Sequence, residues 1–214
     1  MSRRVLWFEI LFVAAACAMT VVAYPHLPNR IPTHWNIHLE PNRHGPKWEL
    51  FLLGPGLMAA VTLLTYLGPW LSPKRFEVDN FRSTWQRLML LLFCMMGYIF
   101  AAMLWAELHG GFNAGRLILG GVCLIVVLMG NLMGKVRKNF YIGVRTPWTL
   151  ANDRVWNATH RFAAKTWIAG GLLGLAFIIA GLRVLSISAL LVGALVPYGY
   201  SLVIYKQLER RGEM

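Results

Sequence analysis

Long apolar runs, broken by short polar and basic stretches, set the plan of this chain. Six of them reach or approach the roughly 20 residues that a helix needs to cross a bilayer: 5–24, 50–71, 88–108, 117–134, 166–182 and 184–205. Stretches such as 88–96 and 117–129 are apolar on every face. A membrane-barrel strand would alternate apolar and polar positions, and backbone groups in lipid must find their partners within the segment. The pattern therefore predicts an all-α integral membrane bundle of six transmembrane helices.

Aromatic residues mark the ends of these runs. Trp48 and Trp70 flank the second, Trp85 and Trp105 the third, Trp167 opens the fifth and Tyr205 closes the sixth. Amphipathic rings favour the headgroup zone, so this spacing supports the same spans. Gly130 and Gly134, and Gly170 and Gly174, are spaced to let helices approach closely. Gly54-Pro55-Gly56 should kink the second helix. The first run follows Arg3 and Arg4 and is longer than a secretory core, which predicts an uncleaved anchor. Ala14-Ala15-Ala16-Cys17 has only part of a lipoprotein cleavage box, whose first position is usually a larger aliphatic residue.

Composition agrees with lipid as the solvent. Of 214 residues, 57% are hydrophobic and 14% charged, against about a quarter charged in soluble domains. The net charge of +12 would point a soluble protein towards nucleic acid. Here the basic residues flank apolar runs, so no nucleic-acid partner is expected. With the N-terminus inside, sixteen of the 21 Lys and Arg residues fall on the inner side. Only Arg30, Arg43, Lys47, Arg116 and Arg183 fall outside. That bias predicts a multi-pass protein of a bacterial cytoplasmic (inner) membrane with both termini cytoplasmic. Cys17, Cys94 and Cys123 all lie in apolar runs without a CxxC, which predicts small buried hydrophobes rather than disulfides or a zinc site. Glu9, Glu49 and Glu107 are near helix ends, where solvated or snorkelling positions are expected and no deep proton relay.

Two loops are long enough to carry function. The outer one, 25–49, holds Pro25, Pro28, Pro32 and Pro41, which set extended or turn geometry. It also holds His26, His34, His38, His44 and Glu40. His34 and His38 would share a helical face and are the weak metal candidates. The alternative is a compact interfacial loop with Trp35 and Trp48 as anchors and Asn36 as a turn former. The inner loop, 135–165, turns at Arg145-Thr146-Pro147-Trp148. Thr149 or Asn152 then caps a helix, with Asp153 in its first turn. Val155, Trp156, Thr159, Phe162 and Ala163 recur at helical spacing, with Arg154, Arg161 and Lys165 on other faces. This predicts an amphipathic inner-surface helix running into the fifth span. Asn131 should find an interhelical partner, and His160 and Arg145 are placed to build a polar pocket with it. Arg145 and Arg161 facing anionic headgroups is the plainer account.

The run Tyr24-Pro25-x-Leu27-Pro28-x-x-Ile31-Pro32-Thr33-His34-Trp35-Asn36 resembles the N-terminal membrane module of the SdpI family. The family pattern has a glycine shortly after the Asn, where this chain has Ile37-His38-Leu39. A second match begins at Gly130-Asn131-x-Met133-Gly134-Lys135 and continues through Asn139-x-x-Ile142-Gly143-x-Arg145-Thr146-Pro147-Trp148-Thr149-Leu150 to Val155-Trp156-x-x-Thr159-His160-Arg161. The resemblance implies two parts, an N-terminal membrane module over 1–71 and an SdpI-like membrane domain over 72–214. It implies a membrane immunity protein, not an enzyme and without a cofactor. The implied partners are a secreted peptide toxin outside and a cytoplasmic repressor inside. Candidate binding residues are His34, Trp35, Asn36 and Lys47 outside. Inside they are Asn131, Asn139, Gly143, Arg145, Thr146, Pro147, Trp148, Trp156, His160 and Arg161. A transporter or membrane enzyme acting on a lipid or small molecule is the alternative, as is an accessory membrane subunit. No nucleophile–base pair, P-loop or zinc motif occurs in the sequence to support an enzyme.

Overall fold

The computed structural model describes residues 3–74, 78–110 and 113–213. Arg75, one of the sixteen basic residues counted on the inner side, lies outside them. Helix α1 (Arg3–Ala23) leads through a short 3-10 turn into two strands, β1 (Arg30–Trp35) and β2 (Pro41–Pro46). Helix α2 (Glu49–Leu71) and a turn at Val78–Phe81 precede α3 (Arg82–His109) and α4 (Ala114–Met133). A short α5 (Pro147–Ala151) precedes α6 (Asp153–Ile179) and α7 (Arg183–Arg210). Among the described residues, six helices are long and apolar enough to cross a membrane. The chain is an all-α, multi-pass membrane bundle. Its outer positions carry exposed Leu11, Val22, Leu172, Leu195 and Val203, as lipid contact requires.

Within α2 the hydrogen-bond ladder widens into a π-turn at Leu52–Gly56. Pro55 lacks an N–H and its ring crowds the preceding turn, so the helix takes up the defect by widening rather than breaking. Helix α6 packs along both α4 and α7. At its contact with α7, a Cβ on Gly193 would stand 2.7 Å from the Thr166 carbonyl oxygen, and one on Gly170 2.7 Å from that of Ala189. Backbone meets backbone there, and only glycine permits it.

Trp85 departs from its expected interfacial place. It is fully buried, with its indole N–H donating to the Thr65 carbonyl at 3.0 Å. Once its N–H is satisfied, the ring is worth more in the core than at a headgroup. Trp48, Trp70 and Trp105 are exposed. Glu9 is the larger correction. It is neither solvated nor snorkelling but 0% exposed, on the inward stripe of α1 with Ala16, Thr20 and Ala23. The helical spacing, not the distance from the helix end, turns it into the bundle. Of the cysteines, Cys123 is buried, Cys17 half-buried and Cys94 exposed, and all are free thiols.

Candidate functional site

The loop between α4 and α6 folds on its own polar groups. Asn139 is fully buried and satisfies its whole amide locally. Its Nδ2 donates to the carbonyls of Arg137 (2.8 Å) and Ile142 (2.9 Å). Its Oδ1 accepts from the N–H groups of Tyr141 and Ile142, both at 2.7 Å. An amide offers two donors and a two-lone-pair acceptor, so no other side chain closes this turn as completely. Gly143 follows at φ +115°, a region that L side chains rarely adopt, and a Cβ there would run into the His160 ring.

His160 anchors the loop to α6. Its Nδ1–H donates to the Trp156 carbonyl at 2.8 Å, and its Nε2 accepts from Val144 N–H at 3.0 Å. The ring stacks on Trp156 with centroids 4.0 Å apart. Trp156 in turn donates from Nε1 to the Val136 carbonyl at 2.9 Å. Thr146 caps α5 in a reciprocal box with Thr149, and Asn152 caps α6 by accepting from Arg154 N–H and Val155 N–H. Thr149 also donates to the Val144 carbonyl at 2.8 Å, and the Thr146 hydroxyl meets Ser201 Oγ of α7 at 3.0 Å. Tyr141 reaches α2, donating to the Gly68 carbonyl at 2.9 Å. One loop thus fastens the ends of α2, α4, α6 and α7.

The structure brings Asn139, Gly143, Thr146, Trp156 and His160 into this knot. It does not bring Asn131, which stands exposed on α4 with no side-chain hydrogen bond among the described residues. The polar pocket joining Asn131, Arg145 and His160 is therefore not formed. Arg145 is exposed and folds over the Phe140 ring, donating to the Phe140 carbonyl. Pro147 and Arg161 are exposed and Trp148 is half-buried. The amphipathic segment is continuous with α6, and its Val155, Trp156, Thr159, His160 and Ala163 are buried against protein. Beside the knot, Lys138 pairs with Asp153 at 2.5 Å, next to a polar cavity of about 300 Å3 lined by Asn80, Arg137 and Asn157. Sequence reading missed Val144 and Ser201. It also took Thr149 for a helix cap and not for the partner of Thr146, although the Thr146-x-x-Thr149 spacing approximates a capping box.

The 25–49 loop is a β-hairpin lying across the opposite end of the bundle. β1 and β2 pair antiparallel, with Ile31 opposite Gly45 and Pro32 opposite His44. Ile31 is fully buried in the core. Asn36 shapes the tip, its Oδ1 accepting from His38 N–H (2.8 Å) and Glu40 N–H (3.0 Å). Leu39 sits at φ +60° yet is only 6% exposed, packed with Leu119, Cys123 and Ile178. Lys47 clasps the base. Its Nζ donates to the Tyr24 carbonyl at 3.0 Å and lies 4.5 Å above the Tyr24 ring. Arg183 donates to the His38 carbonyl at 2.8 Å, docking the tip on the α6–α7 turn. Arg116 donates to the carbonyls of Ile178 and Ile179, both at 3.1 Å, capping the negative end of α6.

His34 and His38 do not share a helical face. His34 is on β1, bonded through Nδ1 to Asn42 Oδ1 at 2.6 Å, and His38 is in the turn. No group of three His, Cys, Asp or Glu among the described residues is arranged to hold a metal ion. Trp35 is half-buried on the core beside Gly115 and so is a packing residue as well as a wall. With Pro32, Leu39, Glu40 and Glu107 it lines a cleft of about 360 Å3 under the hairpin tip.

Comparison with known proteins falls on these same two features. The SdpI/YfhL protein family matches residues 135–201, which hold the knot, α5, all of α6 and most of α7. Over those residues the chain resembles the SdpI/YfhL family. A domain of unknown function (DUF1648) matches residues 11–59, from α1 through the hairpin into α2. The immunity protein SdpI of Bacillus subtilis (strain 168) is 26% identical over 209 residues, covering 94% of this chain and 95% of the relative. The SdpI similarity thus extends over both loops and all six long helices. No solved structure matches the chain.

Proposed function

We propose that this chain is a membrane immunity protein. The observation that carries the reading is end-to-end similarity to an immunity protein, without a large unmatched segment at either loop. In this reading both termini are cytoplasmic in a bacterial inner membrane, as the bias of Lys and Arg supports. The hairpin then faces outward. It is held by Asn36, Leu39, Lys47 and Arg183 in one shape over the helix ends. A pre-formed surface meets a partner without first ordering a loop, which favours affinity. Its exposed His34 and its cleft under the tip, walled by Trp35 and two carboxylates, present the contact surface to a secreted peptide toxin. The knot faces the cytoplasm and presents Arg145, Arg161 and the Arg137–Asn157 cavity to a regulator.

The test is protection. The chain is expressed in cells that lack their own immunity protein and are killed by a secreted membrane-active peptide. Survival is expected to rise on expression and to fall back when Trp35 and His34 are both changed to Ala, with the protein still present in the membrane. Killing that is unchanged by expression, across a panel of such peptides, overturns the reading.

A further inference from the structure

Glu9 lies outside both matched segments, 11–59 and 135–201, and is an unusual polar side chain for a bundle interior. It is 0% exposed, and neither of its carboxyl oxygens has a hydrogen-bond partner. None of the ion pairs among the described residues includes it. From α2, Thr62 interacts with the carboxyl, although its hydroxyl is likewise buried without a partner in hydrogen-bonding geometry. Tyr66 of α2 and Cys94 of α3 are the titratable groups that feel its charge. Glu9 lies six residues beyond Arg3, about 9 Å along the axis at 1.5 Å per residue. With Arg3 and Arg4 at the headgroups, the carboxyl is inside the hydrocarbon region.

A bare carboxylate in such a place is strongly disfavoured, by several kcal/mol even after relaxation. An ionisable side chain held inside a membrane bundle marks a candidate functional site. The polar atoms gathered there are oxygens, two from the carboxyl and one from the Thr62 hydroxyl, with no nitrogen or sulfur bonded to them among the described residues. That donor set suits a small hard cation. We propose that Glu9 and Thr62 form an intramembrane site for one small monovalent cation, a proton or an alkali-metal ion. A proton resides on one carboxyl oxygen as an O–H that donates to Thr62 Oγ1. An alkali ion takes both carboxyl oxygens and Thr62 Oγ1. Either neutralises the only long side chain among the fully buried positions of α1, the others being Ala16, Thr20 and Ala23. Occupancy thereby favours α1 seated against α2.

The test uses the full chain in lipid nanodiscs and infrared difference spectra of wild type against Glu9→Gln. A carboxylic-acid C=O band that is absent from Glu9→Gln, and is indifferent to replacing sodium by choline, identifies the proton. Carboxylate bands that shift when choline replaces sodium at fixed pH identify the alkali ion. Thr62→Val keeps the carboxyl and removes its partner, so it shifts the acid band or abolishes the sodium response even if Glu9→Gln fails to fold. Carboxylate bands that respond to neither pH, sodium nor potassium overturn the proposal, as does a spectrum that Thr62→Val leaves unchanged.

Discussion

Leu39 tests whether the hairpin tip is held by packing against its own backbone preference. Its φ of +60° lies in the left-handed region, where a residue with a Cβ is disfavoured by about 1–2 kcal/mol relative to glycine. Its side chain is 6% exposed among Leu119, Cys123 and Ile178. Truncating a buried Leu to Ala costs about 2–5 kcal/mol, more than the backbone term, so Leu is retained. Leu39→Ala loses the packing and keeps the strain. Leu39→Gly loses the packing and relieves the strain, but gains unfolded-chain entropy worth about 0.4–1 kcal/mol. The difference leaves Leu39→Gly more stable than Leu39→Ala by about 1 kcal/mol, the reverse of the order in a helix or strand. Both remain below wild type. Thermal unfolding in nanodiscs should separate the two by about 2–4 °C for a chain of this size. If Leu39→Ala proves the more stable of the two, the left-handed tip and its packing argument are wrong.

The knot and the α6–α7 seam give further expectations. His160→Ala strands Val144 N–H in a buried site, which should destabilise by about 1–3 kcal/mol. Hydrogen exchange should quicken across 136–146, and unchanged exchange there would contradict the anchoring role. Gly143→Ala combines a φ of +115° with overlap on the His160 ring, so it should destabilise at least as much as His160→Ala. The double variant, with the ring gone, should recover part of that loss in the unfolding midpoint. Gly193→Val should part α6 from α7, because its Cβ meets the Thr166 backbone. Gly199→Val on the same helix meets nothing within 4 Å and serves as the tolerated control. Equal midpoints for the two would refute the close approach.

The spans were legible because hydropathy reports the solvent around a stretch, and lipid leaves a strong mark on composition. Facing is a separate property, and the sequence carries it weakly. Glu9 and Trp85 were both assigned by distance from a helix end, as interfacial residues. The structure turns each inward, one against Thr62 and the other against the Thr65 carbonyl. In an all-apolar helix no polar stripe announces which side meets protein, so a single inward polar residue looks like an end marker. The loops were hard to read for a different reason. The hairpin strands contain Pro32, Pro41 and Pro46, which weaken any strand signal and suit only an edge. A two-stranded hairpin is marginal alone. This one is set by contacts distant in sequence, Leu39 with Ile178 and Arg183 with the His38 carbonyl. Asn131 and Asn139 make the same point by contrast. Both fell in the resemblance, yet one is exposed on a helix and the other fully buried in a turn. The four bonds of Asn139 are all to backbone within three residues, so its role is to set a loop conformation rather than to contact a ligand. The same holds for His160 and Trp156, whose polar atoms are spent on backbone carbonyls and an N–H. The shared signature around these residues is explained by a fold that needs one loop to fasten four helices. Arg145, lying over the Phe140 ring, and the exposed Arg161 beside it take no part in that fastening.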